Sequence, residues 1–348
     1  MKKNIFLFIL AGYSALLNAQ SLDKEPYLTK SLSNESVKNV TLETIGGNIS
    51  VIAVDGSETR LEVFVNPNNN KENSSSKEEI KRRLEQDYDF NISVSGYKLT
   101  AIAKPKNTNK TMNWKMALHI SFKAFVPKII STDLSTNGGN ITLKGISGTQ
   151  NFFTSGGNLN LENISGKVKG RTSGGNIYVV NTKDDIDLST SGGNIIAGNC
   201  SGNLTLSTSG GSLSLSGLRG KINATTSGGN VRGNKIEGEL FTHSSGGNII
   251  LNDMYCSLET STSGGNIDVA IKEFGKFTKI NNSGGNITLQ IPKNKGADLR
   301  LSARKIITEA LSNFTGKMED DNITGAINGG GAPVNVAAGS GKIYLSFK

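Results

Sequence analysis

From Ser131 onward, apolar and polar residues alternate in short runs that are separated by small residues. In the segment Ser155–Thr172, a Ser-Gly-Gly-Asn turn precedes one alternating run, and a second turn of small residues precedes another. Alternation with a period of two predicts a β-strand with one buried face. Each unit therefore predicts two short strands and two tight turns.

The units recur at a fixed period. Gly-Gly pairs begin every 18 residues from Gly138 to Gly264, another pair follows at Gly284 after a two-residue insertion, and an earlier pair stands at Gly46. A period near 20 residues is typical of a solenoid. The aliphatic residues lie about 3, 5, 8, 12 and 14 positions after the first glycine, which favours a flattened two-sheet coil over a triangular one. The sequence predicts an all-β fold, a single-stranded parallel β-helix.

Stacked coils place residues 18 apart in parallel ladders, about 4.8 Å from one another. We expect an inward column at Ile141, Leu159, Ile177 and Ile195, and a second on the opposite sheet at Val168, Ile186 and Leu204. A turn column of asparagines begins at Asn140, and its amides could hydrogen-bond along the stack. We expect the preceding glycine pairs to supply positive φ angles, which residues with a Cβ adopt only at a cost.

The region before the repeats is organised differently. Alternation over Val40–Val65 predicts strands, Lys77–Tyr88 predicts a helix, and Phe90–Val94, Lys98–Ala103 and Trp114–Val126 predict further strands. We divide the chain into a signal peptide at residues 1–19, an α+β cap at 20–130, and a solenoid with terminal closing strands at 131–348. A cap would protect the open end of a parallel sheet.

The amino terminus predicts export. Lys2 and Lys3 precede an apolar stretch, Ile5–Leu17, which is too short to span a bilayer, and Ala19 marks a plausible cleavage site before Gln20. No later stretch reaches about 18 apolar residues, so we expect no transmembrane segment in the mature chain. The expected location is the periplasm, the outer membrane surface or the medium.

Several sequence features together resemble a known family. Ser-Gly-Gly-Asn-Ile boxes recur, an isolated copy stands at Gly46–Val51, Phe125–Pro127 precedes the repeats, and Gly329–Gly331 is followed by Gly341–Leu345. In these features the chain resembles the bacterial putative-adhesin family of β-strand-repeat proteins, a domain-of-unknown-function family related to the autotransporter-adhesin head domain. The resemblance implies a role in adhesion and supplies no catalytic or ligand residues.

Composition narrows the function classes. The 348 residues include 42 glycines. With 35% hydrophobic and 19% charged residues, the chain is too apolar and too weakly charged to be disordered throughout. The formal charge is +9, but the basic residues are not concentrated in a dense stripe along the sequence. We expect the basic run Lys81–Arg83 to lie on a solvated helix face. Nucleic acid is therefore not an expected partner.

No catalytic constellation is evident, and we expect neither enzymatic activity nor a cofactor. His119 and His243 are the two histidines, and His243 is expected on an outward face. The best acidic cluster, at Asp184, Asp185 and Asp187, could bind Ca²⁺ weakly through oxygen ligands, but a solvated acidic turn is the favoured interpretation. We expect Asp184 and Asp185 to replace the Ser-Gly of the second turn.

Cys200 and Cys256 are predicted to be unpaired. They lie three coils apart, about 14 Å, whereas a disulfide needs Cα atoms within about 7 Å. Cys200 is expected to replace an inward aliphatic residue.

The outward-facing residues of the repeats would determine ligand specificity, and they include polar, charged and apolar side chains. Phe153, Tyr178 and Phe241 are aromatic but lie in different coils, so we expect no stacking platform. The favoured hypothesis is a non-enzymatic, adhesin-like envelope scaffold that binds a surface glycan or an envelope protein. A lyase-like polysaccharide-processing enzyme and a periplasmic regulatory or stress-response partner remain alternatives.

Overall fold

The computed structural model describes residues 25–67, 76–106 and 117–348. The predicted signal peptide lies outside the described residues, as does Trp114. Within the described residues β-strands predominate and helix is limited to α1 (Lys77–Asp87) and one 3₁₀ turn, which confirms the all-β prediction.

Before the repeats, the described residues form seven strands and one α-helix. The strands are β1 (Leu28–Ser31), β2 (Asn39–Thr44), β3 (Ile49–Ala53), β4 (Arg60–Pro67), β5 (Tyr88–Ser95), β6 (Lys98–Pro105) and β7 (Leu118–Val126). The helix α1 (Lys77–Asp87) begins after Ser76, whose hydroxyl accepts a hydrogen bond from the Glu79 N–H, and a 3₁₀ turn covers Gly56–Glu58. On α1, Arg82 pairs with Glu79 at 2.7 Å as expected of a solvated face, but Arg83 is buried, contrary to the prediction.

The repeats form alternating long and short strands, followed by continuous ones. The long strands are β8 (Ser131–Thr136), β10 (Ser147–Thr154), β12 (Ser165–Thr172), β14 (Lys183–Thr190), β16 (Ser201–Thr208) and β18 (Arg219–Thr226). The short strands are β9 (Ile141–Lys144), β11 (Leu159–Glu162), β13 (Ile177–Val180), β15 (Ile195–Gly198) and β17 (Leu213–Ser216). The later strands are β19 (Val231–Ser244), β20 (Ile249–Thr262), β21 (Ile267–Asn282), β22 (Ile287–Ile291), β23 (Ala297–Thr308), β24 (Phe314–Met318), β25 (Asn322–Ile327) and β26 (Ala332–Phe347). The segment around Leu299, ambiguous in the sequence, is thus strand β23.

The repeats pair in parallel at 18-residue spacing, in two stacks. In the short-strand stack, Leu159 of β11 lies between Ile141 and Ile177. In the long-strand stack, Val168 of β12 lies between Gln150 and Ile186. In β19 the two stacks share one strand, because its first residues pair with β17 and its last ones with β18.

The core lies between the two stacks. The inward aliphatic residues of both predicted columns are buried, as are Ile146 and Ile164 at the corner between the stacks. Each buried Leu, Ile or Val contributes about 1.5–3 kcal/mol of transfer free energy. The core therefore grows by a similar increment with each coil.

Both ends of the stacks change from parallel to antiparallel pairing. At the amino-terminal end, β2 and β3 pair with β8 and β9 as a further coil, and β6 and β7 cover them in parallel. Antiparallel β5 then covers β6, and antiparallel β4 covers β7. At the other end, β26 lies between β22 and β23, and β25 covers β23 in antiparallel orientation. Antiparallel strands thus cover both ends of the parallel stacks.

Close approach between coils requires the second glycine of a pair, and neither glycine has a positive φ, which corrects the prediction. No glycine of the pairs from Gly138 to Gly284 has a positive φ. A Cβ on the second glycine of a pair, such as Gly193, would overlap the backbone carbonyl of Gly175 in the coil below. A Cβ on the first glycine, Gly192, would meet its nearest atom at 3.7 Å, an ordinary contact.

A buried threonine that was not predicted from the sequence precedes most of the glycine pairs, and Ser244 and Asn282 take its place before Gly246 and Gly284. Thr190 donates a hydrogen bond to the Gly175 carbonyl at 2.8 Å and accepts one from the Gly193 N–H at 3.2 Å. The same two bonds recur at Thr154, Thr172, Thr208 and Thr226. The hydroxyl thus links each turn to the coil below. In the sequence, the signal is a polar residue three positions before the second glycine of each pair.

The asparagine column bonds differently from the prediction. The Asn158 side-chain oxygen accepts the backbone N–H of Asn176 at 2.8 Å, and Asn176 does the same for Asn194. Ser212 continues the ladder through its hydroxyl, which accepts the Asn230 N–H at 3.1 Å. The side chains therefore satisfy turn N–H groups of the next coil, instead of bonding amide to amide.

The left-handed residues lie at the opposite corner, between the short and long strands. Asn163, Asn181 and Asn199 have φ of 56°, 51° and 52°, whereas Lys235 holds the equivalent position at 53°. Asparagine tolerates this conformation, but a lysine there costs about 1–2 kcal/mol.

We therefore expect Lys235→Gly to stabilise the protein by about 0.5–1 kcal/mol, after allowing for the backbone entropy of glycine. The midpoint of thermal unfolding should rise. Lys235→Ala retains the strain and should leave the midpoint nearly unchanged. An equal rise in both variants would show that the lysine side chain, and not its φ, is unfavourable.

Candidate functional site

A shallow groove lies on the outer face of the long-strand stack. Its volume is about 580 Å³. Two columns of outward side chains border it on strands β8, β10, β12 and β14. The columns are Asp133, Asn151, Lys169 and Asp187, and Ser135, Phe153, Arg171 and Ser189.

Strand pairing fixes the order of these side chains. Lys169 is the register neighbour of Asn151 on one side and of Asp187 on the other, and Arg171 lies between Phe153 and Ser189. Lys169 and Arg171 are two residues apart on β12, so both point outward, about 6.6 Å apart along the strand. The groove therefore has a cationic centre with an acidic residue toward each end.

The groove's charged side chains are exposed and have no internal partners. Within the part of the chain that the structure describes, Asp133, Lys169, Arg171 and Asp187 make no side-chain hydrogen bond or ion pair. Some other outward charges on the same stack are paired, such as Glu259, which binds Lys279 at 2.8 Å, whereas Lys167 and Lys183 outside the groove have no ion pair among the described residues. The groove charges are thus available to a ligand.

The floor of the groove depends on one glycine. Gly170 lies between Phe152 and Leu188 in the stack, and a Cβ on it would overlap the buried Phe152 ring. The absent side chain leaves room for Phe152 to fill the core beneath the groove. This position departs from the aliphatic pattern of its column, which was the signal available in the sequence.

The three aspartates predicted as weak Ca²⁺ ligands all lie on β14 but make different contacts. Asp184 is paired with Gly166 and Gly202, and Asp185 with Lys167 and Asn203, so the predicted replacement of Ser-Gly is wrong by one residue. Asp184 has a φ of 82° and accepts the Gly166 N–H at 2.9 Å, while Asp185 accepts the Asn203 side-chain amide at 2.9 Å. Only Asp187 lines the groove.

No metal-binding cluster of three or more His, Cys, Asp or Glu residues is found among the described residues. Across the same residues, no helix is long and apolar enough to cross a membrane.

The two histidines occupy different environments. His243 is exposed, and its Nδ1 lies 2.9 Å from the Ser261 hydroxyl of the next coil. His119 is half-buried on β7, with Nδ1 3.1 Å from the Gly46 carbonyl. Neither lines the groove.

The predicted outward aromatic residues are also dispersed. Phe153 lies in the groove and is 38% exposed, whereas Tyr178 lies on the short-strand stack. Phe241 has a neighbour that the sequence did not indicate, since its ring centroid is 6.2 Å from that of Phe277. An irregularity between β20 and β21 brings Phe277 there, and an 18-residue register cannot predict it.

Both cysteines are buried and unpaired. Cys200 occupies the corner position held by Thr182 and Leu218 in the adjacent coils and by Ile164 one coil further away, which agrees with the prediction that it replaces an inward aliphatic residue. Burial raises the pKa of the Cys200 thiol, and it raises the pKa of Cys256 to about 12.

The raised pKa predicts a loss of stability in alkali. The Cys256 thiol ionises near pH 9 when the chain is unfolded and near 12 when it is folded, so its contribution is complete below pH 9 and is lost as the pH rises toward 12. We expect the wild type to lose more stability than Cys256→Ala between pH 9 and 11, measured as the urea midpoint. Parallel pH profiles for the two proteins would contradict this assignment.

Comparison with known proteins places the repeats in a described family. A family model described as Toastrack DUF4097 matches residues 131–346, more than half of the chain. The crystal structure of a "putative cell adhesion protein" from Clostridium sporogenes ATCC 15579 is 13% identical, and the match covers 92% of this chain and 98% of that chain with a TM-score of 0.21. The crystal structure of a "putative adhesin" from Bacteroides fragilis NCTC 9343 is 11% identical, and the match covers 92% of this chain and 96% of that chain with a TM-score of 0.24. No curated protein matches the chain.

Proposed function

The chain belongs to the Toastrack family DUF4097, and from this premise we propose that it is a non-enzymatic, exported β-solenoid scaffold that binds a surface glycan or envelope protein. The groove on the long-strand stack is the proposed binding site. An adhesin-like role agrees with the resemblance noted in the sequence.

The observation that carries this proposal is the set of unpaired charged side chains in the groove. Four of them project from strands whose backbones are held on both sides by neighbouring coils. Binding there would not require the backbone to become ordered, and the remaining entropic cost is that of fixing the side chains, about 0.5–1.5 kcal/mol for each long one. Positively and negatively charged side chains together can bind a ligand that has hydroxyl, amide or carboxylate groups.

Export is supported by the signal-like residues Lys2–Ala19. A lyase has less support, since Asp184 and Asp185 already accept hydrogen bonds from Gly166 and Asn203. No particular observation favours a regulatory partner over an adhesive one.

The proposal is tested by the binding of residues 20–348, fluorescently labelled, to bacterial cells and isolated envelopes. We expect saturable binding that either glycosidase or protease treatment of the envelopes abolishes, and the two treatments separate the glycan from the protein. Absence of saturable binding to either would overturn the scaffold function. Release of unsaturated oligosaccharides from an acidic glycan would instead show that the protein is a lyase.

A further inference from the structure

We propose that the groove binds an acidic glycan in which a carboxylated sugar alternates with neutral ones. This inference rests on the proposed scaffold function and names the ligand class of the same site. It follows from the order of charges along the groove, which the register of β8, β10, β12 and β14 sets.

The centre of the groove suits one carboxylate. Lys169 and Arg171 project from the same strand, and neither has an ion-pair or hydrogen-bond partner among the described residues. Asp187 is the register neighbour of Lys169, yet the two side chains do not pair within 4.0 Å. An arginine can bind a carboxylate through two parallel hydrogen bonds, and a lysine adds a point charge. A sugar carboxylate between them would neutralise two otherwise unpaired cations.

The coil below suits a neutral sugar ring. Phe153 is the register neighbour of Arg171, and its exposed ring offers an apolar face beside the cationic centre. Asn151 stands two residues away on the same strand and offers an amide donor and acceptor. Coils are about 4.8 Å apart, close to the length of one pyranose ring, so consecutive sugars would meet consecutive coils.

The acidic residues disfavour a second carboxylate nearby. Asp187 lies one coil beyond Lys169, and Asp133 lies one coil beyond Asn151. Each can accept hydrogen bonds from sugar hydroxyls, but each would repel a carboxylate at its own coil. A polymer with an acid on every sugar would place carboxylates against both Asp187 and Asp133, whereas an alternating polymer centred on Lys169 would place one against Asp133 alone, so the alternating polymer should bind more tightly.

Isothermal titration of residues 20–348 tests this with three oligosaccharides of equal length. They are hyaluronan, in which acidic and neutral sugars alternate, oligogalacturonate, in which every sugar is acidic, and neutral chito-oligosaccharide. We expect hyaluronan to bind at least about tenfold more tightly than either of the others. Equal affinity for all three, or a preference for oligogalacturonate or the neutral sugar, would overturn the proposal.

Two variants with the same change in charge locate the site. Arg171→Gln should weaken hyaluronan binding at least about tenfold, because it removes a charge-assisted bond. Lys167→Gln, on the same strand but outside the groove, should leave the affinity unchanged within about twofold. An equal loss in both variants would indicate non-specific charge attraction and would contradict the site. Lys169→Gln serves as a second groove variant if Arg171→Gln fails to fold.

The outcomes separate this inference from the scaffold function. If none of the three oligosaccharides binds but the protein still binds envelopes, the glycan assignment fails and the scaffold function stands. If the wild type binds neither envelopes nor hyaluronan, both fail. If Arg171→Gln abolishes hyaluronan binding and lowers envelope binding, both are supported.

Discussion

Gly193→Ala should destabilise the protein by more than about 3 kcal/mol, whereas Gly192→Ala should change its stability by less than about 1 kcal/mol. The two glycines are adjacent, and both replacements add one methyl group. A Cβ on Gly193 would overlap the carbonyl group of Gly175 in the coil below, which belongs to the backbone and cannot rotate away. A Cβ on Gly192 would lie 3.7 Å from its nearest neighbours, at normal contact distance.

Urea denaturation followed by far-ultraviolet circular dichroism measures the difference. Gly193→Ala should lower the midpoint strongly or prevent folding, and Gly192→Ala provides the folded comparison. If both variants unfold at the wild-type midpoint, neighbouring coils are not packed as closely at this turn as the structure places them. A comparable loss in both would point to glycine's conformational freedom as the requirement.

Thr190→Val should destabilise the protein by about 2–4 kcal/mol. Valine has nearly the shape of threonine, so packing is preserved, but the buried Gly193 N–H and Gly175 carbonyl lose the hydroxyl that bonds both. Each unsatisfied buried group costs about 1–3 kcal/mol. The urea midpoint again provides the measurement.

Thr260→Val is the matched control. Thr260 is fully buried, and its hydroxyl has no hydrogen-bond partner, while Ile280 occupies the corresponding position of the next coil. Removal of an unsatisfied buried hydroxyl should be neutral or should stabilise the protein by about 1 kcal/mol. If both valine variants lose stability equally, threonine packing and not the hydrogen bonds of Thr190 accounts for the effect.

The inward columns and the free cysteines were accessible from the sequence because they depend on a single number, the period. Once residues 18 apart are stacked, Leu159 must lie beside Ile177, and Cys200 must lie far from Cys256. The helix over Lys77–Asp87 was also predictable, because its apolar residues recur every four positions.

Other features depended on distances that a period does not contain. The sequence shows that Gly193 is glycine, but only the packing of neighbouring coils shows that close approach requires it and a positive φ does not. Phe277 reaches Phe241 through an irregularity between β20 and β21, where the 18-residue register fails. Arg83 is buried although it lies in a run of basic residues.

The sequence by itself determined the period, the direction of each side chain in the repeats and the aliphatic core, because alternation and spacing are local properties that stacking only repeats. The tertiary structure decided which glycine of each pair tolerates a side chain, how the threonine hydroxyls connect the coils, and which outward charges lack partners. It also placed β26 inside the stack, ahead of β23. These features depend on contacts between coils, whose energies change steeply over tenths of an ångström, and the spacing of residues along a chain does not specify such distances.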